Sequence, residues 1–119
     1  MNQILPVATN LPYMTCIGNH EMDFPNNTWA LFNSTDSGGE CGVAYFHRFI
    51  MPASADNVPY YSYNYGNVHV VLMSTETNFS RGSPQYKFLE QDLASVNRKN
   101  TPWVIFAGHR YVEKCSTLY

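Results

Sequence analysis

The run Val68-His69-Val70-Val71-Leu72-Met73-Ser74 decides the fold that this sequence predicts. Its β-branched residues favour a strand, which we place at 68–74. A helix is predicted over residues 84–99, and another apolar strand leads to residue 108. A strand, a helix and a strand in this order are typical of a crossover in which the helix covers a largely buried sheet. The sequence therefore predicts an α/β fold.

The predicted helix has recognisable signals at both ends. Ser83 suits the N-cap position, and Pro84 suits the first helical position. Arg98 and Lys99 would complement the carbonyl end of the helix dipole. One apolar face is expected, made of Tyr86, Leu89, Leu93 and Val96.

Two more strand candidates, at about 13–17 and 60–65, precede the crossover. The residues between them, 23–56, are polar and rich in Asn, Ser and Gly. A stretch of that length without regular structure is usually a surface or functional loop. We expect a single α/β unit without repeats or linkers.

The tetrapeptide Gly18-Asn19-His20-Glu21 directly follows the first strand candidate. Glycine at a strand end allows a sharp turn, so that two adjacent polar side chains can point into one cleft. Gly108-His109 follows the last strand in the same way. Gly-Asn is also a common turn, and a neighbouring His is often only a surface residue. Two strands that both end in potential ligands favour a metal site for phosphate chemistry.

Several motifs occur together in a recognisable order. They are GNHE (18–21), GVAY (42–45), RFIMP (48–52), YYSYNYGNVH (60–69), STET (74–77), GSPQY (82–86) and TPW (101–103). With these motifs the chain resembles the purple acid phosphatases, a binuclear-metal branch of the calcineurin-like metallophosphoesterases. The resemblance implies part of a metallophosphoesterase β-sandwich flanked by helices, an incomplete four-layer αββα domain. Residues 1–119 are then a partial catalytic domain.

The resemblance also implies roles for particular residues. Asn19 and His109 would be ligands of the divalent metal, and His20 would be the catalytic residue that contacts the phosphate ester. The implied cofactor is a binuclear centre of iron and a second divalent metal, namely zinc, manganese or iron. The implied reaction is hydrolysis of small phosphate monoesters by a metal-activated hydroxide.

The family's GDxG, GDxxY and GHxH segments do not occur in this sequence. We therefore expect an internal fragment that is nearly inactive by itself, because Asn19 and His109 are too few ligands for a catalytic cation. Two alternatives stay open. One is another metallophosphoesterase, such as a phosphodiesterase, and the other is a non-catalytic secreted glycoprotein module.

Composition excludes some partners and suggests a compartment. A net charge of -2 with 45% apolar residues gives no basic stripe for nucleic acid, and no apolar run is long enough for a membrane span. Asn26, Asn33 and Asn78 begin N-glycosylation sequons, which indicates a secreted, extracellular or vacuolar protein. The cysteines, at positions 16, 41 and 115, are an odd set, so at most one pair can form within the chain.

Three other charged or titratable residues have competing interpretations. His69 alternates with valines in a predicted strand and His47 has no ligand candidate nearby in sequence, which favours structural roles for both. Arg110 follows the predicted ligand His109. It would either approach the phosphate or support the sheet edge through a carboxylate.

Overall fold

The computed structural model describes residues 3–53 and 55–111, so Cys115 lies outside the described residues. Its centre is a sheet of three strands in the order β1-β2-β3, with β1 at Tyr61–Tyr65, β2 at Val68–Leu72 and β3 at Trp103–Ala107. The helices are α1 (Leu5–Ala8), α2 (Asn19–Met22), α3 (Val43–Arg48) and α4 (Pro84–Ser95). The predicted mixed α/β fold is confirmed.

The strands β1 and β2 form an antiparallel hairpin in which Tyr65 pairs with Val68. The two-residue turn between them begins at Gly66, whose φ of 58° is a left-handed conformation that suits glycine. β2 and β3 are parallel, with Val70 opposite Ile105. The long connection between them carries α4, so the predicted crossover is confirmed.

The helix α4 begins as predicted but ends earlier. Ser83 Oγ accepts a hydrogen bond from the backbone N–H of Tyr86 at 3.1 Å, and Pro84 occupies the first turn. The predicted end at residue 99 is wrong because Val96 is extended and Asn97 starts a turn, accepting from Lys99 N at 3.0 Å with its side chain. Arg98, predicted to face the helix carbonyls, instead donates to the carbonyl of Pro102 at 2.6 Å.

The face of α4 that meets the sheet is more polar than expected. Leu93, predicted on the apolar face, is 42% exposed, whereas Gln85 is 1% exposed. The Gln85 amide accepts from Ser74 N and donates to Ser74 O, at 2.7 and 2.9 Å. One helical turn after Leu89, the carboxylate of Asp92 lies 2.9 Å from His69 Nε2. Hydrogen bonds therefore join this helix both to β2 and to the segment that follows it.

The residues 13–17, predicted as a strand, are not part of the sheet. Side-chain hydrogen bonds, rather than pairing with another strand, fix the position of this segment. The carbonyl of Thr15 accepts from the hydroxyl groups of Tyr45 and Tyr61, at 3.0 and 2.7 Å. Just beyond, Ile17 is fully buried in a cluster with Met22 and Tyr45. The apolar alternation thus marks a core segment that lacks a hydrogen-bonded partner strand among the described residues.

The polar stretch 23–56 is not entirely a loop, because it contains α3. This helix begins after Gly42, whose backbone N–H donates to the carbonyl of Glu21 at 2.6 Å. That bond places α3 against α2, and Tyr45 of α3 enters the core cluster. Among the described residues, no helix has the length and hydropathy needed to cross a membrane.

Candidate metal and phosphate site

The segment Gly18-Asn19-His20-Glu21 forms the start of the short helix α2. Glu21 Oε2 accepts from the backbone N–H of Gly18 at 3.1 Å, which fixes the first turn. Sequence reasoning assigned no role to Glu21, although a carboxylate three residues after an N-cap is the signal for this bond. The turn directs the side chain of Asn19 toward the residues that follow β3.

The structure brings Asn19 and His109 together across 90 residues of sequence. His109 Nε2 lies 2.8 Å from Asn19 Oδ1. The imidazole also lies directly over Gly18, since a Cβ built on that glycine would be 2.9 Å from His109 Cε1. A side chain at position 18 would displace the ring, so the glycine is needed for close approach.

The Asn19–His109 pair suits a divalent metal by its chemistry. It offers a neutral amide oxygen and an imidazole nitrogen, which zinc, manganese and iron accept as ligands. In the observed 2.8 Å contact His109 Nε2 donates to Asn19 Oδ1, because an amide oxygen only accepts, and a metal held by both atoms would take the place of that hydrogen. No three His, Cys, Asp or Glu side chains converge into a metal site within the part of the chain that the structure describes.

His20 lies beside this pair on the surface. Its Nδ1 is 3.3 Å from the backbone carbonyl oxygen of Asp36. A carbonyl oxygen only accepts hydrogen bonds, so Nδ1 carries the proton in this contact. His20 Nε2 has no hydrogen-bond partner among the described residues.

Asp36 contacts the same tetrapeptide through its side chain. Its Oδ2 accepts from Asn19 Nδ2 at 2.7 Å. This hydrogen bond, together with one to Ser34, holds the pKa of Asp36 below its ordinary value. Sequence reasoning missed Asp36, because it lies in the polar stretch with no local pattern that distinguishes it from its neighbours.

Arg110 binds two buried carboxylates. Its guanidinium donates to both oxygens of Glu76, at 2.8 to 3.0 Å, and to Asp23 Oδ2 at 3.2 Å. Both carboxylates have side chains that are 0% exposed. The two interpretations of Arg110 were approach to the phosphate and contact with a carboxylate, and the structure shows the second. Sequence reasoning missed Asp23 and Glu76, since nothing in their local sequence indicates that they are buried.

The two carboxylates repel each other and depend on the guanidinium. Burial raises the pKa of Asp23, and the neighbouring Glu76 raises it further, while Arg110 lowers it. Asp23 Oδ1 is buried without a hydrogen-bond partner among the described residues. The ring of Phe32 covers the guanidinium, with the Arg110 Cζ 4.5 Å from the ring centroid. We name Asp23, Glu76 and Arg110 the ionic cluster.

The predicted glycosylation sites lie on the surface. Asn26, Asn33 and Asn78 are all exposed. Asn78 Oδ1 accepts from both the backbone N–H and the hydroxyl of Ser80, at 2.9 and 2.7 Å. The asparagine and the hydroxyl residue of that sequon are therefore already in contact. Cys16 and Cys41 are not joined to each other.

Comparisons with known proteins identify the family to which this chain is similar. A model of the calcineurin-like phosphoesterase family matches residues 2–119. "Probable inactive purple acid phosphatase 9" of Arabidopsis thaliana is 48% identical over 91% of this chain and 19% of its own length. A nucleotide pyrophosphatase/phosphodiesterase of Hordeum vulgare is 42% identical over 91% of this chain and 29% of its length.

The fold is also similar to a solved structure. A purple acid phosphatase from yellow lupin (Lupinus luteus) seeds matches with a TM-score of 0.87 and 44% identity, over 92% of this chain and 19% of the lupin chain. These matches confirm the resemblance to purple acid phosphatases. The chain spans about a fifth of the length of the Arabidopsis and lupin proteins.

Replacing Arg110 tests the ionic cluster. We expect Arg110→Ala to lower the free energy of unfolding by about 3 kcal/mol, because two buried carboxylates would lose their cation. Arg110→Lys should recover only part of the loss, since an ammonium cannot form the bidentate contact. Urea denaturation of the full-length protein that contains this chain measures both values.

The matched control for Arg110 is Arg81→Ala, at an exposed arginine with no hydrogen bond to the described residues. Its expected effect is within about 0.5 kcal/mol. Equal losses in the variants at positions 81 and 110 would contradict a specific role for the cluster.

Proposed function

Because this chain belongs to the calcineurin-like phosphoesterase family, we propose that the protein carrying it is a metal-dependent acid phosphatase that hydrolyses small phosphate monoesters. The observation that carries the proposal is the convergence of Asn19 Oδ1 and His109 Nε2. This pair supplies two ligands of one divalent metal. The family implies a binuclear centre, which we propose contains iron and a second metal that is zinc, manganese or iron.

The residues of this chain have separate roles around the substrate. Asn19 and His109 hold the divalent metal. When bound, the metals supply positive charge for the phosphate oxygens and an acidified water. Since Nδ1 of His20 already donates to the Asp36 carbonyl, His20 donates to the ester from Nε2 when the ring is protonated on both nitrogens. A protonated imidazole oriented in this way is suited to hold a proton near the leaving oxygen.

Variants at positions 19, 20 and 109 should distinguish metal binding from proton transfer. Asn19→Ala and His109→Ala are expected to lower the divalent-metal content of the full-length protein. His20→Ala should leave the metal content unchanged and lower kcat/KM by about 10²- to 10⁴-fold. Elemental analysis and steady-state kinetics measure the two effects.

His47→Ala is the matched control for His20, because His47 is an exposed histidine on α3. It should change neither the metal content nor kcat/KM. Wild-type kinetics in His20→Ala, with full metal content, would contradict the catalytic role.

The specific reaction has two alternatives that the relatives support. The barley relative is named a nucleotide pyrophosphatase/phosphodiesterase, which favours diester or pyrophosphate hydrolysis as a second candidate. Several Arabidopsis relatives are named probable inactive purple acid phosphatases, which favours a non-catalytic glycoprotein. Two others are named purple acid phosphatases without that qualification.

A substrate comparison distinguishes the three functions. The metal-loaded full-length protein is assayed with p-nitrophenyl phosphate and with bis(p-nitrophenyl) phosphate across acid and neutral pH. We expect a higher kcat/KM for the monoester, with its maximum at acid pH. A higher value for the diester would favour the phosphodiesterase. Turnover of neither substrate by protein with full metal content would favour the non-catalytic module.

We also propose that the protein is a secreted, extracellular or vacuolar glycoprotein with no nucleic-acid or membrane partner. The exposure of all three sequon asparagines supports it, because a glycan needs solvent around its attachment point. N-glycosidase treatment of protein from its native source should lower its mass. An unchanged mass, with unmodified peptides spanning Asn26, Asn33 and Asn78, would contradict glycosylation.

A further inference from the structure

We propose that Asp36 is a positioning residue that sets the orientation of Asn19 and His20 in the candidate site. This inference rests on the proposed function. Asp36 touches both residues of the tetrapeptide that the proposal uses, through two different groups. Its carboxylate contacts the Asn19 amide, and its main-chain carbonyl contacts the His20 ring.

The carboxylate of Asp36 determines which end of the Asn19 amide faces His109. The oxygen and nitrogen of an amide have nearly the same shape, so packing alone does not distinguish the two orientations. An ionised carboxylate only accepts hydrogen bonds, and the 2.7 Å contact therefore requires the NH₂ group of Asn19 on the Asp36 side. Asn19 Oδ1 is thereby directed at His109, where a metal ligand is needed.

The carbonyl of Asp36 acts on His20 in a comparable way. It accepts from Nδ1, so that Nε2 is the ring nitrogen that can meet the ester. One residue thus fixes the oxygen that would bind the metal and the nitrogen that would meet the ester. Partners of this kind, in contact with metal ligands, orient the ligands and raise the affinity for the metal.

Asp36 is exposed, so its position depends on the backbone around it. The next residue, Ser37, is buried, and its N–H donates to the carbonyl of Asp23 at 3.0 Å. Asp23 is a member of the ionic cluster. The backbone N–H of Asp36 also donates to Ser34 Oγ at 3.4 Å. The loop that contains Asp36 is therefore bonded to the ionic cluster, and Arg110 of that cluster is the residue after His109.

The test compares three variants of the full-length protein by competition of zinc with a chelator, which measures affinity without turnover. Asp36→Ala should weaken zinc binding by about 10- to 100-fold. Asp36→Asn should weaken zinc binding less than Asp36→Ala. The new amide oxygen can still accept from Asn19, although the acceptor is no longer charged. Asn19→Ala provides the reference for loss of the ligand itself, and the unfolding midpoint of each variant is measured in parallel.

Asp56→Ala is the matched control, at another exposed aspartate whose side chain makes no hydrogen bond within residues 3–53 and 55–111. Unchanged zinc affinity in Asp36→Ala, with a loss in Asn19→Ala, would overturn the role of Asp36 alone. Equal losses in Asp36→Ala and Asp36→Asn would overturn the role of the acceptor oxygen. Unchanged affinity in Asn19→Ala would overturn the proposed metal site and this inference with it.

Discussion

The contact on which the site depends is the sharing of one guanidinium by two buried carboxylates. Arg110 joins Asp23, which follows α2, to Glu76, which follows β2. Burying these carboxylates without a cation would cost several kcal/mol, so the ion pairs favour an arrangement that keeps the three chain segments together. Because Arg110 is the neighbour of His109 in sequence, the ionic contact also restricts where His109, a proposed metal ligand, lies.

Polar contacts, more than apolar burial, connect the layers near the site. Gln85 bonds the backbone at the end of β2, and Asp92 bonds both His69 and Ser62, at 2.9 and 2.5 Å. Hydrogen bonds depend strongly on distance and angle, so they define the position of α4 on the sheet more precisely than apolar packing alone would. The apolar cluster around Ile17 instead supports the other side, beneath α2.

The sequence predicted those parts of the molecule whose signals are local. The strands predicted at about 60–65 and 68–74 occur at Tyr61–Tyr65 and Val68–Leu72, and the crossover and the start of α4 also follow from local signals, namely β-branched residues and the Ser83-Pro84 pair. The roles of residues 13–17 and Leu93 depend on what lies opposite them, which alternation alone does not specify. For the site, the glycines and histidines were visible as motifs, whereas Asp36 and the ionic cluster act only through distant partners. Arg110 could be given two roles from sequence because both use the same guanidinium chemistry.

The separation in sequence between Asn19 and His109 affects how the site forms during folding. The strands β1 and β2 are neighbours in sequence and are joined by two residues, whereas Asn19 and His109 are 90 positions apart. Loop-closure entropy makes such long-range contacts costly until other structure has brought their ends near. On a ribosome, the tetrapeptide emerges long before its partner histidine. Until β3 joins the sheet, Asn19 therefore lacks the histidine that we propose as the second ligand of its metal.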